Sequence, residues 1–124
     1  MSLPAQATDA ELAVLKVLWG RESATAREIR DELYPAGTLS DQATVQKLLQ
    51  RLEQKKLIAR DRRSFAHTFH ATVSRDALAA GQLEALADKL TDGSLVPFIL
   101  HAVGSRKLSA AERDEIRRLL DRRK

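Results

Sequence analysis

Apolar residues recur at helical spacing in six stretches of this chain, with one alternating stretch between the third and the fourth. The clearest lies within Thr44 to Asp61. There Val45, Leu48, Leu49 and Leu52 hold the i, i+3, i+4 and i+7 positions of a buried helical face. Gln46, Lys47, Gln50 and Gln54 line the opposite face, and Leu57 and Ile58 then open a basic extended segment, Arg60-Asp-Arg-Arg63. Two capping boxes precede this helix. Thr8-Asp-Ala-Glu11 and Thr25-Ala-Arg-Glu28 each set a hydroxyl and a carboxylate to satisfy orphan backbone donors. The first predicts a helix with Leu12, Leu15, Val17, Leu18 and Trp19 mostly on one face, ending near Gly20. The second predicts a short helix with Ile29 and Leu33 inward, stopped by Pro35 and Gly37. Ser40 or Asp41 is the expected cap of the third helix, which runs to about Lys55.

Lys56 to Asp61 and Ala66 to Ala71 read as two strands around the turn Arg62-Arg-Ser64. In the second, Phe65, His67 and Phe69 alternate with Ala66, Thr68 and His70, the period of a half-buried strand. Three helices and a hairpin within residues 8–72 make a winged helix-turn-helix. Ser74 then caps a helix over residues 75–91 carrying Leu78, Leu83, Leu86 and Leu90, ended by Asp92-Gly-Ser94. Leu95 to Val103, with Phe98 and Ile99, forms another and tolerates Pro97 in its first turn. Ser109-Ala-Ala-Glu112 is a third capping box and opens a last helix with Ile116, Leu119 and Leu120 apolar. One apolar stripe on each of three short helices is too little to bury these side chains against one another. A second copy of the chain is the expected remedy, giving an intertwined helical homodimer; the rival is folding back on the N-terminal part. The fold class is therefore mainly α: an N-terminal winged helix-turn-helix with a small antiparallel hairpin, then a three-helix C-terminal dimerisation domain. Residues 1–7 are expected as a loose arm, 8–72 as the winged helix and 73–124 as the dimerisation domain.

Composition narrows the partners. At 124 residues, 44% hydrophobic and 31% charged, the chain has the make-up of an ordinary globular protein. It has no apolar run approaching the roughly 20 residues that span a bilayer and no signal peptide, so a cytoplasmic location without a membrane partner is expected. With no cysteine, disulfides, thiolate metal sites and a cysteine nucleophile are excluded. The charge is unevenly placed. Residues 1–40 hold four Lys/Arg against six Asp/Glu, residues 41–71 hold seven against three, and residues 72–124 hold ten against eight. The excess sits on the third helix and the hairpin, where a polyanion would need it, and this points to double-stranded DNA. The basic C-terminal segment Arg117 to Lys124 reads as cations complementing a helix end.

With these residues assembled, the chain resembles the penicillinase-repressor (BlaI/MecI/CopY) family of winged-helix transcriptional repressors. The residues that carry the resemblance are Thr8-Asp-Ala-Glu-Leu-Ala-Val-Leu-Lys-Val-Leu-Trp19, Thr25-Ala-Arg-Glu-Ile29 and Thr44-Val-Gln-Lys-Leu-Leu-Gln-Arg-Leu-Glu53 with Lys55. Val73-Ser-Arg75, Asp92-Gly-Ser-Leu95 and Leu108-Ser-Ala-Ala-Glu112 extend it over nearly the whole chain. The resemblance implies a homodimeric repressor with one winged helix on each half of a pseudo-palindromic operator. It places Thr44, Gln46 and Lys47 at the groove, with Gln42, Ala43, Gln50 and Arg51 close by. Three departures stand out. Lys56 occupies a position where the family usually has Gly, the wing tip Arg62-Arg-Ser64 is short, and the second wing strand is Phe65-Ala-His-Thr-Phe-His70. The cysteine cluster of copper-responsive members is absent. Release by a sensor protease, as in antibiotic-responsive members, would act near Leu100-His-Ala-Val103, where their Asn-Phe bond is missing.

Each signal has a plainer reading. The polar residues of the third helix would also suit a solvated face, and Arg51 is expected to pair with a nearby carboxylate. Gln suits adenine N6/N7 and Lys suits guanine O6/N7, whereas Arg60, Arg62 and Arg63 are expected on phosphates. His67 and His70 fall on opposite faces of a strand and His101 is isolated, expected as a partly buried core histidine, so no metal site and no cofactor is expected. Trp19 is read as a core anchor between the first helix and the hairpin. No carboxylate pair, phosphate loop or Ser/His/Asp arrangement supports catalysis. Two other functions fit the same pattern: a ligand-responsive winged-helix regulator, and a winged helix used as a protein–protein adaptor.

Overall fold

A computed structural model describes residues 6–105 and 107–122; the outer part of the expected N-terminal arm and the last two basic residues lie outside them. The elements are α1 (Asp9–Arg21), β1 (Ala24–Thr25), α2 (Ala26–Leu33), α3 (Leu39–Gln54), β2 (Ile58–Asp61) and β3 (Thr68–Ala71). They continue with α4 (Arg75–Leu90), α5 (Val96–Gly104) and α6 (Ala110–Arg122). The chain forms two compact units that divide within α4, one through Leu83 and the other from Glu84.

The capping boxes at Thr8, Thr25 and Ser109 all form, each with the hydroxyl accepting from the third helical N–H and the glutamate accepting from the cap N–H. The cap of α3 differs from the expectation. Thr38, not Ser40 or Asp41, holds it, and Asp41 is the reciprocal third residue. The carboxylate is thus borne on a side chain one methylene shorter than the Glu of the usual box, which hid the pattern.

The far end of α3 closes with a Schellman motif. The Leu57 N–H donates to the Leu52 carbonyl and the Lys56 N–H to the Glu53 carbonyl, both at 3.0 Å. Lys56 sits at the left-handed position with φ 62°, so a turn that most often takes Gly is here made by a lysine at some conformational cost. Leu52 and Leu57, the two apolar residues the motif brings together, both enter the core.

The three strands order as β1-β3-β2, all antiparallel. β1 has only two residues and pairs Ala24 with Phe69 and Thr25 with Thr68. β2 and β3 pair from Ile58↔Ala71 to Asp61↔Thr68. The hairpin connection is therefore the six residues between Asp61 and Thr68, longer than the expected three-residue tip. Phe65 lies at its tip, outside the strand to which alternation assigned it. The core of the first unit gathers Val14, Leu15 and Leu18 of α1, Ile29 of α2, Val45, Leu48, Leu49 and Leu52 of α3, and Phe69 of β3. Truncating one such leucine to alanine costs about 2–5 kcal/mol. Trp19 stands half-buried at the edge of this core, and its indole N–H donates to the Val73 carbonyl at 2.9 Å. It fastens α1 to the turn after the hairpin, and with His70 and Ala71 of β3 it lines a cleft beside that turn.

Candidate nucleic-acid interface

One face of α3 is spent on the core and the other is bare. Leu39, Ala43, Gln46, Lys47, Gln50 and Gln54 are exposed along it, and the α2–turn–α3 segment presents this face as a helix-turn-helix does. Lys47 and Arg51 have no ion-pair partner among the described residues, so the carboxylate expected beside Arg51 is not there. Two of the expected groove residues are engaged. Gln42 accepts a long 3.5 Å hydrogen bond from Arg30 of α2, and the Thr44 hydroxyl donates to the Ser40 carbonyl at 3.0 Å. Ala26, Arg27, Arg30, Gln42 and Val45 line a shallow cleft between α2 and α3. Exposed Arg27 has no ion-pair partner among the described residues and was missed by the sequence reading. Its place in the first turn of α2, the helix that crosses the backbone in such motifs, was the available signal.

The three wing arginines have different surroundings. Arg60 is drawn inward: it donates to Glu53 of α3 at 2.7 Å, and its guanidinium stacks over the Phe69 ring, 4.8 Å from the centroid. Its Nε is buried without a partner among the described residues. The expected phosphate contact thus gives way at Arg60 to a brace between β2 and α3. Arg63 is exposed but grips Asp61 through Nε and Nη2, and its backbone N–H donates to the same carboxylate. Arg63 holds the Asp61 carboxyl down to about 2, so Asp61 is ionised at neutral pH and the pair is a solvent-exposed one. Arg62 is exposed and unpaired among the described residues.

A second brace sets the pitch of α3. Glu11 of α1 is fully buried, and the Lys55 ammonium donates to it at 2.6 Å and to the Gln6 carbonyl at 2.7 Å. Burial alone would raise the Glu11 carboxyl; the Lys55 ammonium and the Thr8 N–H outweigh it and hold the group below the ordinary glutamate range. The sequence showed Glu11 only as half of a capping box.

The expected dimerisation residues divide. Leu78 is 4% exposed and belongs to the core of the first unit, so it is not available to a partner chain. It faces inward because it lies on the first turn of α4, still within reach of the winged helix. Leu83, Leu86, Leu90, Ile99, Ile116, Leu119 and Leu120 are exposed, and Leu95 and Phe98 half-buried. Val96, Leu100 and Val103 of α5 extend this apolar surface beyond the expected set. His101, expected partly buried, is exposed. No described helix is long and apolar enough to cross a membrane.

Comparison with known proteins agrees with this geometry. The penicillinase repressor family matches residues 7–122. The chain is 36% identical over 114 residues to the transcriptional regulator BlaI of Mycobacterium tuberculosis, covering 90% of this chain and 80% of that protein. It is 26% identical over 112 residues to the penicillinase repressor of Staphylococcus aureus, covering 90% and 88% respectively. The solution structure of the DNA binding domain of the repressor BlaI superposes with a TM-score of 0.51 at 29% identity, covering 61% of this chain and 90% of that domain.

Proposed function

The chain belongs to the penicillinase repressor family of DNA-binding transcriptional repressors, which are not enzymes, and we propose that it represses as a homodimer on a pseudo-palindromic operator. Each α3 would enter a major groove, with the half-sites about one helical turn apart or slightly more. The observation that carries this reading is the bare polar face of α3, where Gln46, Lys47 and Gln50 point away from a core that the opposite face fills. Gln46 and Lys47 supply the base contacts, each good one discriminating by about 1–3 kcal/mol. Arg51, Arg62 and Arg27 supply phosphate contacts, Arg63 joins them by exchanging Asp61 for a phosphate, and Arg60 holds the wing against α3. The site of action is the cytoplasm, where the operator is. Derepression by a sensor protease cutting α5 near Leu100 to Val103 would detach α6 from the rest of the chain.

Fluorescence anisotropy on a duplex from the protein's own promoter region tests the reading. The double variant Gln46→Ala/Lys47→Ala is expected to lose most of its discrimination between operator and random DNA while melting at the wild-type temperature. Discrimination that survives the double change undiminished removes these two residues from the reading role.

A further inference from the structure

Ahead of α4, only two large apolar side chains are exposed among the described residues: Leu39, at 86%, and Phe65, at 106%. Leu39 is the first residue of α3, and the cap that starts the helix is made by Thr38 and Asp41 around it. The fold therefore has no use for a leucine at this position. Leu39, Ala43, Gln46 and Gln50 follow one another at spacings of four, three and four residues, a single outward stripe on which Leu39 is the leading member. The cation Lys47 borders the same stripe.

In the major groove the base edges present donors and acceptors, with one apolar group among them, the C5-methyl of thymine. An aliphatic side chain at the leading end of a reading helix has no other complementary feature to meet there. We propose that Leu39 is a specificity residue that packs on a thymine methyl in each half-site. The proposal rests on the reading of α3 as the helix in the groove. Seven residues separate Leu39 from Gln46, roughly 10 Å along the helix axis, so the thymine lies roughly three base steps from the base that Gln46 contacts.

The test begins with selection of bound duplexes from a random library by the full-length chain. Each thymine of the enriched half-site is then replaced singly by deoxyuridine, which removes only the methyl group. Wild-type protein is expected to lose roughly fourfold in affinity at one thymine per half-site, the worth of one buried methyl. Leu39→Ala is expected to bind the thymine and uracil duplexes equally, with unchanged affinity for random DNA and an unchanged melting temperature. Leu39→Met, which keeps an aliphatic reach, is expected to restore the preference. If the half-site is enriched but indifferent to every methyl, or if Leu39→Ala keeps the same uracil penalty, the role of Leu39 is overturned and the groove-reading helix stands. If no sequence is enriched at all, both are overturned together.

Discussion

Arg60, Arg62 and Arg63 are near neighbours in sequence, yet the fold gives each a different partner, and that decides what each contributes. Arg60 is tied to Glu53 and Phe69, so its removal leaves a half-buried carboxylate unpaired and an aromatic face uncovered. Arg60→Ala is expected to cost about 1–2 kcal/mol of stability and to lower the melting temperature. Arg62 touches nothing the fold needs. Arg62→Ala is expected to leave melting unchanged while weakening binding to all DNA sequences alike. The slope of log affinity against log salt should fall by about one. Thermal melts together with salt titrations of both variants check this, and the reverse pattern would return Arg60 to the phosphates. The sequence could not separate the three, because a run of like charges carries no information about which member faces a carboxylate seven residues back. Phe65 is a similar case. The alternation that correctly buried Phe69 continues through Phe65, but β3 begins only at Thr68, and Phe65 is left in solvent.

What was legible among the elements is what is local. Helix starts written as Thr-x-x-Glu appear in place, because cap and partner lie three residues apart and need nothing else. β1 was illegible because a two-residue strand exists only through its pairing with Phe69 and Thr68, more than forty residues on. The Glu11–Lys55 bridge was illegible for the same reason, and it joins α1 to the end of α3. Its pH dependence follows from the lowered Glu11 carboxyl. A carboxylate held below its unfolded value adds stability above the ordinary glutamate range, and that stability is lost as pH falls through the folded value. Glu11→Gln is expected to cost about 1–2 kcal/mol at pH 7 and to converge on the wild type in acid. Lys55→Met is expected to cost about 3 kcal/mol or more at pH 7, since it strands a buried charge, with the gap narrowing as Glu11 protonates. Urea melts between pH 3 and pH 7 read both trends. Parallel curves at every pH would mean that the carboxylate does not titrate with folding.

At the scale of the whole molecule, the distribution of exposed apolar surface is lopsided. The first unit closes its core and leaves Leu39, Phe65 and, at its end, Leu83 outside, whereas α5 and α6 contain no buried residue among those described. Leu90, Leu100, Leu119 and Leu120 stand in solvent, although Ser74 and Ser109 cap the helices that carry Leu90 and the last two. Amphipathic helices this short draw most of their stability from packing, so an apolar stripe left bare requires a covering surface. A second copy of the same chain offers the same stripe, and two such faces can bury one another by two-fold symmetry. Leu100 and Leu120, 66% and 68% exposed, contribute little within one chain and would contribute much across such a seam. Leu100→Asp/Leu120→Asp is therefore expected to sediment as a monomer at micromolar concentration, where the wild type is expected to sediment as a dimer. The first unit should keep its melting transition and its affinity for a single half-site. Affinity for the full operator should drop by about 10²–10⁴, because capture of the second half-site is no longer intramolecular. A wild-type chain that sediments as a monomer both free and on the operator would refute the dimer. A double variant that keeps full operator affinity would show that the two heads do not depend on these helices to act together.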